Sequence, residues 1–326
     1  MIHVHIARPP DEAARAIFEQ ELAPNFTITY GPDRPPSADY HILVQGRPSP
    51  AELDQAPNLH AVIVPWAGIP PETLDLVRQR PHLSLHNLHY NAQPVAELTF
   101  ALLLAAAKFI VPLDQALRQH DWTPRYQPPP SMLLSGKQGM ILGYGAIGQA
   151  LAPLCQAIGM KLWGVRRQLT APYQDAHHVS VISADDWESR LPQTDVLLIT
   201  LPLTAVTENI IDAPQLAALP PGAVLVNVGR GPLVNARALY EVLRDGHLRA
   251  AALDVWYNYP QSPQQRTKTP PAPVPLETLP NIVMSPHRGG TTDEKEDTRW
   301  THLAQLLNTA VANKTLANQV DLDQGY

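Results

Sequence analysis

Six short, nearly uninterrupted apolar runs mark the chain between residues 139 and 285: GMILGY (139–144), KLWGV (161–165), DVLLIT (195–200), AVLVNV (223–228), AAALDV (250–255) and NIVMS (281–285). A strand that is apolar on both faces has to be covered on both faces. That is the environment of a parallel sheet with helices packed on either side, and most intervals between the runs are long enough for a helical crossover. The first hundred residues repeat the theme at lower apolar density. Ile2, Val4 and Ile6 alternate with His3 and His5, a helix is expected from Asp11, and further strands from YHILV (40–44), LHAVIV (59–64) and LSLHNL (83–88). A helix over PETLDLV (71–77) opens with proline, where a missing N–H costs nothing. Strands spaced by helices predict α/β architecture throughout.

The two β/α series are joined by a long helical stretch, residues 93–120, apolar nearly all round in its first half and expected to break or kink at Pro112. The triple proline Pro128–Pro130 follows it. A last helix is expected from Thr291–Asp293, where two capping-box spacings occur, with Trp300, Leu303, Leu306, Leu307, Ala310 and Val311 as its buried stripe. At 326 residues the chain has room for two domains. A net charge of −6 argues against a phosphate-backbone partner, so no nucleic acid is expected. One cysteine, Cys155, excludes an internal disulfide and any multi-thiolate metal site. The apolar stretch from Leu98 to Leu113 carries Lys108 and Pro112 and is shorter than the ~20 residues of a membrane span. With no basic flank or long apolar run at the N-terminus, the expectation is a soluble, cytoplasmic protein.

The first chemical motif is Gly143-Tyr-Gly145-Ala146-Ile147-Gly148, which follows the run GMILGY and opens a helical stretch. At a strand–turn–helix junction these glycines make a tight turn, let a pyrophosphate approach the backbone and allow close helix–strand packing. The next strand ends in Val165-Arg166-Arg167, where a site selective for NAD would carry Asp or Glu for the ribose 2′-hydroxyl. A guanidinium there can take a 2′-phosphate bidentately, so NADP(H) is favoured over NAD(H); stacking of the arginines on adenine is the alternative.

Together with VNVGRGPLVN (226–235), AALDVW (251–256) and SPHRGG (285–290), this fingerprint resembles the D-isomer-specific 2-hydroxyacid dehydrogenase family, whose members include glyoxylate/hydroxypyruvate reductases and phosphoglycerate, formate and phosphite dehydrogenases. The resemblance runs from Ala67-Gly68 and Asn91-x-x-x-Val95-Ala96-Glu97 to the final helix. It implies a doubly wound Rossmann cofactor domain, residues 97–290, inserted into a flavodoxin-like α/β substrate domain formed by 1–96 plus 291–326. It also implies a homodimer, and a hydride transfer between NAD(P)H and a small 2-oxo or 2-hydroxy acid.

Carried over residue by residue, the resemblance assigns Arg230 to the substrate carboxylate and carbonyl, and His287 to proton transfer. Asp254 would accept from the nicotinamide carboxamide. Val228, Gly229, Pro202, Thr207, Thr99 and Gly290 would line the cofactor. Trp66, the backbone N–H groups of Ala67 and Gly68, and Asn91 would meet the substrate. One departure matters. Where the family usually has a catalytic Glu five residues after the Asp254 equivalent, this chain has Tyr259. A phenol can orient the imidazole but supplies no charge to raise its pKa. Two other readings therefore stay open: oxidation of a formate- or phosphite-like substrate, which needs no proton transfer to substrate, and a non-catalytic dinucleotide-sensing protein. The remaining motifs are weaker. His82, His86 and His89 do not share a strand face and no metal is expected, Ser135-Gly136-Lys137 lacks the rest of a Walker A loop, and Cys155 reads as inert core.

Overall fold

The computed structural model describes the chain apart from residues 33–38, 128–130, 168, 170 and 314, so the triple proline lies outside the described residues. The chain divides into two compact units, Met1–Asn91 with Thr291–Tyr326, and Ala92–Gly290.

In the first unit, β1 (Ile2–Ile6), α1 (Glu12–Glu21), β2 (Phe26–Tyr30), β3 (Ile42–Val44), α2 (Pro50–Asp54), β4 (Ala61–Val64), α3 (Pro71–Arg78) and β5 (Ser84–Asn87) alternate along the chain. The sheet is parallel, in the order β2-β1-β3-β4-β5. This is the flavodoxin-like doubly wound order. The sequence reading left out β2, whose FTITY pattern interleaves threonines with apolar residues and never becomes fully buried. Asp11 caps α1 by accepting from the Ala14 N–H at 2.9 Å, and Ser49 closes a capping box on α2 with Glu52.

The second unit opens with α4 (Ala92–Ala107), α5 (Ile110–Arg118) and α6 (Thr123–Tyr126). It continues as β6 (Gln138–Leu142), α7 (Ala146–Ala157), β7 (Lys161–Arg166), β8 (Tyr173–Gln174), β9 (Ser180–Ser183), β10 (Val196–Ile199), α8 (Ala213–Ala218), β11 (Val224–Asn227), α9 (Ala236–Arg244), β12 (Ala250–Leu253) and β13 (Ile282–Met284). Its sheet runs β13-β12-β11-β10-β6-β7-β9-β8 and is parallel except for the two-residue edge strand β8. The strands from β9 to β12 reproduce the Rossmann order, with its reversal between β6 and β10. Two apolar layers cover the faces. One gathers Leu103, Leu151, Val226 and Ala252, the other Leu142, Leu197, Leu239 and Leu253.

The unit boundary falls at residue 92, five residues before the expected 97. The reason is that α4 begins at Ala92 and buries Val95, Ala96 and Leu102 in the second unit's core. The long helical stretch breaks at Phe109, which adopts a left-handed φ of 55°, and not at Pro112. Pro112 lies in the first turn of α5, where its missing N–H has no intrahelical partner to lose. The two helices bend by 66° at that break, and no single helix among the described residues is long and apolar enough to cross a membrane.

The last helix, α10 (Lys295–Asn313), belongs to the first unit and packs on α1, with Trp300 edge-on to Phe18 at 5.7 Å. Its buried stripe ends before Val311, which is exposed. The tail beyond it returns to the sheet edge, where the Val320 N–H donates to Leu85 O at 2.8 Å.

Candidate active site

At the strand reversal of the second unit two segments of backbone approach closely. Gly143 ends β6 with φ 101°, and a Cβ there would stand 2.9 Å from the Leu201 backbone nitrogen. Thr200 locks this approach by donating its hydroxyl to Gly143 O at 2.7 Å. Gly148 sits inside α7 with Ile141 Cγ2 2.9 Å from where its Cβ would be, which makes it the close-packing glycine. Gly145 differs. A Cβ on it would meet nothing within 4 Å, and α7, which starts with Ala146 and Ile147, has no side chain capping its N-terminus. Open space above a helix N-terminus without a side-chain cap fits a dinucleotide pyrophosphate.

Tyr144, inside the same turn, is buried against Gly164 of β7. Its hydroxyl donates to Asp175 at 2.5 Å, and its carbonyl accepts from Arg166 Nε at 2.9 Å. Arg166 is thus fastened to the fingerprint turn through Nε, its guanidinium 5.9 Å from the Tyr144 ring centroid, while Arg167 beside it is exposed. On the far side of the turn, Thr207 donates to Pro202 O at 2.8 Å and accepts from the Thr204 N–H at 2.8 Å, closing the loop after β10.

Beyond β11, Asn227 organises the turn that carries Arg230. Its side chain accepts from the Gly229 N–H at 3.0 Å and donates to Arg230 O at 2.9 Å. Gly229 is in close contact with Leu201, since a Cβ would lie 2.5 Å from its carbonyl oxygen, and Val228 is buried in the core. The Arg230 side chain is half-buried and donates to Gly229 O at 2.7 Å. Asn227 was not singled out in the sequence; its signal is a polar residue ending an otherwise apolar strand.

Asp254, 2% exposed at the end of β12, accepts from Ser285 Oγ at 2.5 Å and from the backbone N–H groups of Arg288 and Gly289 at 2.8 and 2.9 Å. Three of a carboxylate's roughly four acceptor positions are therefore used to hold the segment 285–289. Gly289, with Asp254 Oδ2 3.0 Å from a would-be Cβ, is the tightly packed glycine of this segment. Gly290 is the last residue of the unit.

His287 stands in that segment with a left-handed φ of 58°, its backbone N–H on Ser285 O. Its Nδ1 lies 2.9 Å from the Tyr259 hydroxyl. The Tyr259 oxygen also accepts from the Trp256 N–H at 3.1 Å, and the Trp256 indole N–H donates to Ser285 O at 2.8 Å. Burial first, and then the neighbouring Arg230 charge, lower the His287 pKa below its ordinary value, while Asp254 opposes them. Burial raises the Tyr259 phenol. The proline-rich 260–280 segment supplies no acid to the imidazole. It folds back so that Pro271 O accepts from the Tyr257 and Asn258 N–H groups at 3.1 Å each, which steadies the loop bearing Tyr259.

Thr99 is fully buried and its hydroxyl donates to Val95 O at 2.6 Å within α4. In the first unit, Trp66, Ala67 and Gly68 follow β4 and Asn91 follows the neighbouring β5, all partly exposed beyond the C-terminal ends of parallel strands. The Trp66 ring fills the space of a Gly46 side chain, and Ala67 O accepts from Asn87 Nδ2 at 2.7 Å. His86 is structural, with both ring nitrogens bonded, to Ala317 O and Ser84 Oγ. No group of three or more His, Cys, Asp or Glu among the described residues could hold a metal ion. Cys155 is buried, its thiol pushed up to about 12 by burial.

Fold and motifs define a protein with a dinucleotide-binding α/β unit. Residues 100–289 match the family model described as D-isomer specific 2-hydroxyacid dehydrogenase, NAD binding domain. The chain is 31% identical over 272 residues to glyoxylate/hydroxypyruvate reductase B of Yersinia enterocolitica, covering 83% of this chain and 79% of that protein. It is 27% identical to D-3-phosphoglycerate dehydrogenase of Methanocaldococcus jannaschii over 99% of its own length, and spans only 60% of that relative. A D-isomer specific 2-hydroxyacid dehydrogenase from Xanthobacter autotrophicus Py2, solved with NADPH and MES, superposes with a TM-score of 0.78 at 23% identity, covering 100% of this chain and 99% of that one, and shares the fold. This chain belongs to the D-isomer-specific 2-hydroxyacid dehydrogenase family.

The hydrogen bonds of Asp254 lead to a direct test. In Asp254→Asn one oxygen becomes an NH2 that faces donors and cannot accept from them. Losing a charge-assisted bond costs about 1.5–3 kcal/mol. Hydrogen exchange at the Arg288 and Gly289 amides should accelerate about tenfold or more, with the β6 and β10 amides unchanged. Unaltered exchange at 288 and 289 would show that the segment is held by something else.

Proposed function

We propose that the protein transfers a hydride between a nicotinamide dinucleotide, NADP(H) in preference to NAD(H), and a small 2-oxo or 2-hydroxy acid of the glyoxylate or hydroxypyruvate type. The unit Ala92–Gly290 is read as the cofactor domain and the remainder as the substrate domain. The observation that carries this reading is a charged fork and a hydrogen-bonded imidazole, Arg230 and His287, set just beyond the C-terminal ends of β11 and β13 in a sheet whose fingerprint turn leaves Gly145 open. In such sheets ligands bind beyond the carboxyl ends of the strands.

Bound at the Gly143–Gly148 turn, the dinucleotide would supply or accept the hydride. Ala146 and Ile147 would present N–H groups to its pyrophosphate, Val228, Gly229, Pro202 and Thr207 would wall it, and Asp254 keeps one acceptor position for a carboxamide. Arg230 would bind the substrate carboxylate and draw charge onto the carbonyl oxygen, and His287 would exchange the proton with that oxygen. Trp66, the Ala67 and Gly68 N–H groups and Asn91 are proposed as further contacts to the acid.

A panel of 2-oxo acids with NADPH and NADH separately tests the reaction. Formate turnover without 2-oxo acid reduction would overturn it, as would cofactor binding without any turnover. Arg230→Lys retains charge but loses the planar fork. It should lower kcat/KM by about 100-fold or more, with dinucleotide affinity nearly unchanged. Near-native turnover would show that the carboxylate binds elsewhere.

The cofactor preference rests on Arg166 and Arg167. A charge-assisted phosphate contact is worth about 1.5–3 kcal/mol, so Arg167→Ala should weaken NADPH binding by about tenfold or more and leave NADH binding unchanged. Equal affinity of the unaltered protein for both dinucleotides would refute the preference.

A homodimer through the second unit is supported by large apolar side chains exposed between residues 110 and 133: Ile110, Leu117, Trp122, Tyr126 and Leu133. Where exposed apolar side chains gather into a patch, they mark an association surface. Leu117→Asp should convert the dimer to monomer in sedimentation velocity; a monomeric unaltered protein would remove the proposal.

A further inference from the structure

The hydroxyl opposite His287 differs from a carboxylate in one respect that the geometry makes decisive. A phenol oxygen carries one proton and two lone pairs, whereas an ionised carboxylate only accepts. One lone pair of Tyr259 Oη is taken by the Trp256 N–H at 3.1 Å. The phenolic proton then has an acceptor within reach in His287 Nδ1 at 2.9 Å. A ring that accepts at Nδ1 carries its own proton on Nε2. A carboxylate at residue 259 would dictate the reverse, with Nδ1 protonated and Nε2 bare.

We propose, on the reading above that this is a hydride-transferring site, that Tyr259 is a positioning residue that holds neutral His287 as the Nε2–H tautomer and passes its phenolic proton to Nδ1 as Nε2 gives its proton to the substrate oxygen. The balance closes without an imidazolium. As hydride reaches the carbonyl carbon, the C=O π pair becomes an alkoxide lone pair. The Nε2–H bond breaks and an O–H bond forms on the substrate, the phenolic O–H bond breaks and an Nδ1–H bond forms, and a phenolate remains. Burial opposes that phenolate and the Trp256 N–H and the Arg230 charge favour it; because Tyr259 is 40% exposed, water can return the proton. The oxidative direction runs the same transfers backwards.

The electrostatic surroundings agree. The charged groups acting on His287 are Arg230 and Asp254, and Arg230 together with burial disfavours an imidazolium. Asp254 is committed to Ser285 and the 288 and 289 amides. A neutral pair is therefore the resting state at neutral pH, and the expected consequence of Tyr259 changes. As a charge-free spacer it would let reduction fade as pH rises through the lowered His287 pKa. As a proton donor it sustains reduction above that value.

Two readouts test this on the full chain. In 15N-histidine-labelled protein at about pH 8 without substrate, His287, assigned by its loss in His287→Asn, should show a bare Nδ1 and a protonated Nε2; Tyr259→Glu should move the proton to Nδ1. In the pH dependence of the hydride-transfer step, the unaltered enzyme should hold its reductive rate across neutral pH. Tyr259→Phe should lose about tenfold per pH unit above the His287 pKa, as a reaction dependent on imidazolium must. A protonated Nδ1 in the unaltered protein, or parallel pH profiles for it and Tyr259→Phe, would overturn the proposal. The nitrogen spectra need no substrate, so a protein that reduces no 2-oxo acid but shows the Nε2–H tautomer would refute the hydride-transfer reading and leave the tautomer assignment standing.

Discussion

The buried carboxylate of Asp254 is the constraint on which the rest of the site depends. At 2% exposure an ionised group survives only if its acceptor positions are met, because an unpaired buried charge is prohibitively costly. Ser285 and the amides of Arg288 and Gly289 meet them, and in doing so fix the chain on both sides of His287. The left-handed φ of His287, which a side chain with a Cβ rarely adopts, is tolerated because its flanks are pinned. The indole of Trp256 bonds Ser285 O while its backbone N–H bonds the Tyr259 hydroxyl, so the strand end after β12 orients imidazole and phenol together.

A second constraint is steric and lies at the strand reversal. Gly143 and Gly229 both approach Leu201, and neither position has room for a Cβ. The fingerprint turn and the turn bearing Arg230 therefore close on the same backbone segment after β10. Asn227 and Thr200 add the hydrogen bonds that keep those approaches in register. Gly145 alone among these glycines faces open space. The turn is thus closely packed where chain meets chain and open at Gly145.

The second unit's sheet could be read from the sequence because burial on both faces confines polar residues to the ends of its central strands, and the eye needs no periodicity to find them. The strands that escaped are those without that property. In β2 the two threonines interrupt three apolar residues that are only partly buried, β8 is a two-residue edge pair, and β9 is a short SVIS segment. The helix break was placed at Pro112 on propensity, whereas the left-handed Phe109 ends α4 and turns Pro112 into a first-turn residue, its most acceptable place in a helix. The candidate site residues are legible where a motif fixes one residue type at one spacing. Asn227 and Ser285 escape that reading because their work is side-chain hydrogen bonding that shapes turns, Asn227 to residues 229 and 230 and Ser285 to Asp254, and no motif announces it.

Tyr259 shows where sequence and geometry had to be combined. The sequence alone establishes that a carboxylate is missing; it does not tell whether the phenol reaches the ring. With the phenol at bonding distance, the effect of the substitution becomes a matter of counting protons and lone pairs. A carboxylate partner stabilises imidazolium by charge, and that stabilisation would have to compete with Arg230 on the same ring. The phenol removes the competition. If Arg230 holds an anionic substrate, as proposed, its positive potential stays available while the imidazole remains neutral beside it. Such a site would have a physical reason to keep its proton-transfer pair uncharged, and the Trp256 N–H, 3.1 Å from the phenolic oxygen, would supply the dipole that a transient phenolate needs.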